Sequence, residues 1–212
     1  ALKQGGNAID AAMTGALAQV ALAMGAPISY FGIMSLVYHE AKTGKTYTMN
    51  AEWNTVRGET DPGSIPGKVD FSSTEALQGT GVPSGRTALV GGFMKGVEAA
   101  HKRFGKLPFA SLFDPAIYIA EQGMPVNSFL ADIFKFRDQD IRRLDETRAT
   151  LVKPDGTGYA EGDIFRQPAL AETLRAVASQ GADYMYGGPW AETGRRCTGR
   201  WRQDDARRPD GL

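Results

Sequence analysis

The longest apolar stretch of the chain covers residues 8–24, where only Asp10, Thr14, Gly15 and Gln19 interrupt a run of alanine and larger aliphatic side chains. The interruptions keep it short of the roughly 18 uncharged apolar residues that a membrane span needs, so it predicts a buried core helix. Gly5 and Gly6 give that helix a flexible entry, Asn7 is an N-cap, and Asp10 places negative charge in the first turn, where a helix N-terminus favours it. Gly25 and Pro27 end the pattern. Residues 33–40 then read as a strand centred on Leu36, Val37 and Tyr38, and residues 46–51 as its partner, joined by a turn at Lys42, Thr43, Gly44 and Lys45 in which the glycine supplies positive φ. Gly44, Lys45 and Thr46 resemble the end of a phosphate-binding loop, but that motif needs a glycine five positions earlier, where His39 stands.

Residues 57–86 carry six Gly, three Pro and many Ser and Thr with little periodicity, and predict a long irregular connection of the kind that usually serves function or moves. Helical spacing returns over 90–104, with Phe93, Val97, Ala100 and Phe104 on one face and Lys95, Glu98, Lys102 and Arg103 outside it, and Gly105 as the terminator. A second helix follows Pro108 and Ser111 and ends at Gly123, and a third covers 127–136. The alternating charges of Asp138, Asp140, Arg142, Arg143, Asp145, Glu146 and Arg148 predict a solvated helix face with i,i+4 pairs rather than a binding run. Residues 154–162 form a turn-rich loop, and 167–180 an amphipathic helix with Leu170, Leu174 and Val177 on its buried stripe.

Composition narrows the function classes. At 212 residues, with 42% hydrophobic and 23% charged positions, the chain is long enough for one ordinary globular core. A single cysteine, Cys197, excludes an intrachain disulfide, and His39 and His101 lie 62 positions apart without ligand-like spacing, so no metal site is expected. The net charge of zero argues against nucleic acid or an anionic membrane surface as partner. That zero averages two unlike parts. Residues 193–212 hold six Arg, no Lys and three Asp, while the rest holds 18 basic and 21 acidic side chains. The chain opens at Ala1 without a basic-then-apolar leader, so any targeting segment is expected upstream of it.

A set of short blocks, in order, resembles the N-terminal part of the large subunit of the γ-glutamyltranspeptidase family, within the N-terminal-nucleophile hydrolases. The blocks are Gly5-Gly6-Asn7-Ala8-Ile9-Asp10-Ala11-Ala12; Leu36-Val37-Tyr38 with Thr43-Gly44; Val90-Gly91-Gly92-Phe93 with Gly96; and Phe104-Gly105-Lys106-Leu107-Pro108-Phe109. They continue through Leu112-Phe113-Asp114-Pro115-Ala116-Ile117, Ala120-Glu121-Gln122-Gly123, Pro125-Val126 and Leu170-Ala171-Glu172-Thr173-Leu174, and end at Tyr186-Gly187-Gly188. The residues themselves read as structural, and none is expected to do chemistry. The resemblance implies a helix-rich α/β fold, the large-subunit portion of an αββα sandwich. It also implies an amide hydrolase or acyl transferase that cuts its own precursor in two, needs no cofactor, acts on a small-molecule substrate, and resides in the periplasm or outside the cell. The attacking group would be a threonine at the start of the second chain, the small subunit, with its own α-amine as base. No catalytic residue is therefore assigned here, and this chain alone is expected to be inactive. A divergent amidohydrolase or acylase, or a non-catalytic remnant that only binds, is the alternative.

Two departures bear on substrate. Where the family has a glycine-rich run before its strand, this chain reads Ser29-Tyr30-Phe31-Gly32-Ile33-Met34; where the family has Arg-Glu, its arginine gripping the substrate α-carboxylate, it reads Ala51-Glu52. Alanine cannot imitate a bidentate guanidinium. Glu52 and Asn54 are candidate rim residues of the substrate pocket, and Arg57 a candidate replacement cation. Past Glu192 the family continues with an amphipathic helix, a Gly-Gly turn and a Thr-x-Glu-Asp-Leu segment. Codons compatible with residues 193–212, read one base later, encode that succession, so residues 1–192 are expected to be the family-like body and 193–212 an out-of-frame basic tail.

Overall fold

The computed structural model describes residues 1–25, 28–55, 60 and 89–192. Arg57, most of the connection over 57–86, Cys197 and the basic tail lie outside the described residues. After a 3₁₀ turn at Leu2–Gln4 the elements are α1 (Ala8–Leu22), β1 (Met34–Glu40), β2 (Lys45–Ala51), α2 (Phe93–Phe104), a 3₁₀ turn at Phe109–Phe113, and α3 (Asp114–Gln122). There follow β3 (Met124–Pro125), α4 (Ser128–Phe136), α5 (Asp138–Arg143), α6 (Asp145–Leu151), β4 (Ile164–Phe165), α7 (Pro168–Gln180) and α8 (Asp183–Tyr186). The architecture is a helix-rich α/β arrangement with two small antiparallel sheets.

The β1–β2 hairpin pairs from Met34 with Ala51 to Glu40 with Lys45, and Gly44 turns it at φ 67°. Alternation along the strands gives it two unlike faces. Met34 and Ala51 are buried, and Leu36, Tyr38 and Met49 pack against the same core, on the side of α2. Ser35, Val37, His39, Thr46, Thr48 and Asn50 stand exposed on the other face.

The main core joins α1, the hairpin, α2, α3 and α7 through residues such as Leu17, Met94, Val97, Leu112, Phe113, Leu174 and Val177. A second cluster, built on Met24, Val126, Leu130, Phe134 and Phe165, holds β3, β4 and α4 together. The helix predicted over 108–123 is divided into a 3₁₀ turn and α3, because Pro115 at the start of α3 restarts the helix. The acidic-basic run over 138–148 forms two short helices. One of its pairs is i,i+4 (Arg142 with Asp138, 2.8 Å), and two are i,i+3 (Arg137 with Asp140, 2.8 Å, and Arg148 with Asp145).

The glycine-rich opening has a structural purpose beyond an N-cap. Asn7 Oδ1 accepts from the amides of Ile9 and Asp10, and Asp10 Oδ2 accepts the Asn7 amide at 2.8 Å, a reciprocal capping box. The same carboxylate, fully buried, also accepts the amides of Lys106 at 3.0 Å and Leu107 at 3.3 Å, and Asn7 Nδ2 donates to the Phe104 carbonyl at 2.6 Å. The start of α1 is thus tied to the turn after α2. His101 closes the cluster: its Nε2 lies 2.7 Å from Leu107 O and 3.7 Å from Asp10 Oδ1, and because a carbonyl only accepts, Nε2 carries the hydrogen. Gly105 leaves room for the His101 ring, which a Cβ at that position would overlap.

Candidate functional site

The candidate site lies where β2 ends. Ala51 is 1% exposed, and its Cβ sits only 2.7 Å from where a Cβ at Gly96 of α2 would be. A long side chain at position 51 would run into α2, so Ala51 is a packed position rather than an outward one. The first residue to project from the strand end is Glu52. Its Oε1 accepts the Ser35 hydroxyl at 3.2 Å and its amide donates to Asn50 Oδ1 at 3.0 Å, so the carboxylate is held on the open face of the hairpin. Trp53 follows, 56% exposed.

Asn54 is fixed through its backbone. Its amide donates to Val90 O at 2.9 Å, and its carbonyl accepts the Val90 amide at 2.8 Å. This bridge explains why α2 begins at Phe93 rather than at Val90, as the periodicity predicted. Residues 90–92 form a backbone strip threaded between two others. A Cβ at Gly91 would overlap the Phe31 carbonyl, and one at Gly92 would come within 2.7 Å of Ala51 O. The Phe93 amide donates to Gly32 O at 3.0 Å, and Tyr186 donates its phenolic hydrogen to Gly91 O at 2.6 Å. Burial pushes the Tyr186 phenol well above its ordinary value, against the opposing pull of the Lys95 and Met94 amides at the start of α2. Tyr186 therefore fixes the strip, with the Phe31 ring 5.5 Å from its own and the Trp190 ring 5.0 Å from that of Phe31 between ring centres.

Of the three candidate binding residues, Glu52 and Asn54 follow the end of β2, with Asn54 bridged to Val90 next to the glycine strip, and Arg57 lies outside the described residues. Sequence reasoning missed Ser35, whose register opposite Asn50 puts it next to Glu52. It also missed the tie of Tyr186 to Gly91, and it read Asp10 as a first-turn acid without its burial or its bonds to the Lys106 and Leu107 amides. Glu98, read as an outward face residue, instead turns inward and accepts the Ala182 amide at 2.9 Å. Among the described residues no three His, Cys, Asp or Glu side chains group as metal ligands, and no helix is long and apolar enough to cross a membrane.

Comparison with known proteins gives concordant results. The family model described as gamma-glutamyltranspeptidase matches residues 1–194. The glutathione hydrolase proenzyme of Bacillus subtilis (strain 168) is 33% identical over 196 residues, a match covering 91% of this chain and 32% of that protein. Among solved structures, the gamma-glutamyltranspeptidase of Helicobacter pylori superposes with a TM-score of 0.82 at 27% identity, covering 97% of this chain and 58% of its own. A cephalosporin acylase from Bacillus halodurans superposes with a TM-score of 0.74 at 26% identity, covering 97% of this chain and 38% of its own. The chain spans about a third of the length of the curated relatives it matches.

Proposed function

This chain belongs to the γ-glutamyltranspeptidase family, and from that premise we propose that it forms the large-subunit side of an amide hydrolase or acyl transferase completed by a second chain from the same precursor. Its fold class is the helix-rich, large-subunit portion of an N-terminal-nucleophile hydrolase sandwich. The observation that carries the proposal is the two-faced hairpin. One face is packed on α2; the other, with Val37 73% exposed at its centre, is left for a second sheet, as a two-sheet sandwich requires.

In this reading the second chain supplies the attacking threonine, activated by its own α-amine, and most of the donors that stabilise the tetrahedral oxyanion. The chain described here supplies the rim. Glu52, held by Ser35, and Asn54, pinned beside Gly91 and Gly92, orient the acyl group. Arg57, five positions after Glu52 in the sequence, would be the cation for a substrate carboxylate. The test is expression of the gene from Ala1 through the downstream DNA, with a one-base correction after the codon for Glu192. The proposal expects cleavage of the product into two chains and release of p-nitroaniline from a γ-glutamyl anilide, neither of which residues 1–192 alone should give.

One observation favours a different acyl group from γ-glutamyl. The family's gripping arginine is replaced by the buried Ala51, which leaves Glu52 without that cation beside it, and an uncompensated carboxylate repels the α-carboxylate of a γ-glutamyl substrate. The likeness to the Bacillus halodurans cephalosporin acylase is in keeping with that reading. Comparing the corrected enzyme on a γ-glutamyl anilide and on a matched acyl anilide without the α-carboxylate separates the two. A higher kcat/KM on the latter, reversed in Glu52→Arg, supports the acylase reading; preference for the γ-glutamyl compound in both proteins contradicts it.

A further inference from the structure

Remote from the hairpin rim, a cavity of about 780 Å³ opens between α5, α6, the loop over 152–159 and the first turn of α7. Its walls carry four cationic side chains, Arg142, Arg148, Lys153 and Arg166, against one acid, Asp145. Three of the cations are ion-paired: Arg142 with Asp138 at 2.8 Å, Lys153 with Asp163 at 2.9 Å, and Arg148 with Asp145. Every side chain in those pairs is more than a quarter exposed, so the pairs are weak and open to exchange with another anion. Arg166 forms no ion pair among the described residues. Its stem is seated over Gly123, where a Cβ would come within 2.7 Å of the Arg166 Cγ, so the guanidinium is carried on a supported arm.

We propose that this cavity binds a compact multivalent oxyanion, a phosphate ester or a polycarboxylate, through Arg166 together with Arg148 and Arg142. Guanidinium groups match both chemistries, since each offers paired donors to paired oxygens. The wall made by Pro168, Ala169 and Leu170 adds to the same field: α7 starts there with no acid in its first turn and no side-chain cap on its amides. Neutral or cationic ligands gain nothing from this lining. The site is independent of the hairpin rim and of any chemistry there.

Calorimetric titration of the full chain with sodium phosphate, and separately with sodium citrate, tests this at an ionic strength held constant with sodium chloride. Saturable 1:1 binding of at least one is expected. Stronger phosphate binding assigns the site to phosphate esters, and stronger citrate binding to polycarboxylates. Arg166→Ala should weaken the preferred anion about tenfold, the loss of one charge-assisted contact, while Lys42→Ala, in the hairpin turn, should leave it unchanged. Circular dichroism checks that both variants are folded. Absence of saturable binding to either anion, or unchanged affinity in both Arg166→Ala and the Arg148→Ala/Arg166→Ala double variant, overturns the proposal.

Discussion

Removing the Asp10 carboxylate should destabilise the whole fold, although Asp10 lies in the first turn of α1 rather than in the apolar core. The side chain is fully buried and accepts three amides, from Asn7, Lys106 and Leu107. Asp10→Ala leaves those donors without their acceptor and untethers α1 from the turn after α2. Each orphaned donor costs on the order of 1 to 3 kcal/mol where water cannot reach it. Lys106 is exposed and Asn7 half-buried, so water recovers part of that, and the expected loss is about 3 kcal/mol. Asp10→Asn keeps one oxygen but turns an NH₂ toward a facing N–H, and should cost about half as much. Urea denaturation followed by circular dichroism measures both.

The pH dependence of Asp10 fixes the sign. Burial pushes the carboxyl up, but the Asn7, Lys106 and Leu107 amides and the neighbouring His101 together pull it down further, to a net value below the ordinary 3.8. A depressed folded-state pKa contributes stability that is complete above the unfolded value and is lost as pH falls through the folded one. The gap between the natural chain and Asp10→Asn should therefore be constant near neutrality and shrink below about pH 4. A variant as stable as the natural chain at pH 7, or a gap unchanged between pH 6 and pH 3, would refute the clamp.

Three further outcomes follow from the rim and the hairpin. Gly91→Ala should cost about 3 kcal/mol or prevent folding, because the added methyl overlaps the Phe31 carbonyl backbone; thermal melting checks it. Tyr186→Phe removes the donor to Gly91 O and the oxygen facing the start of α2, and should cost about 1 to 2 kcal/mol in the same assay. Val37→Lys should change the stability of the isolated chain by less than about 0.5 kcal/mol, yet abolish co-purification of the large and small chains from the corrected precursor.

How far the sequence could be read depends on how local each cause is. The starts of α1, α4 and α7 were legible because their signals sit within a few residues: Asn7 and Asn127 accept amides of their own first turns, and Pro168 opens α7. The hairpin turn was legible for the same reason, since Gly44 adopts the positive φ it was assigned. The start of α2 was not. Val90 fits the helical spacing, but its partner is Asn54, and that pairing depends on Gly91 and Gly92 slipping between two distant backbone segments. The two-residue strands β3 and β4 carry no period at all. At the candidate site, Glu52 and Asn54 could be named as candidates because they follow a strand, whereas the orientation of Ala51 needed the packing against Gly96. Asp10 read as a dipole partner because nothing near it in sequence announces Lys106 and Leu107.

The most direct test of the central claim, that this chain is one side of a two-chain amide-cleaving enzyme, is electrophoresis and a γ-glutamyl anilide and acyl anilide assay on the product of the gene corrected by one base after the codon for Glu192. The account predicts two fragments, with turnover of at least one anilide appearing only once they have formed, and none from residues 1–192 alone. Turnover by residues 1–192 alone, or a corrected product that neither cleaves itself nor hydrolyses either anilide, would contradict it.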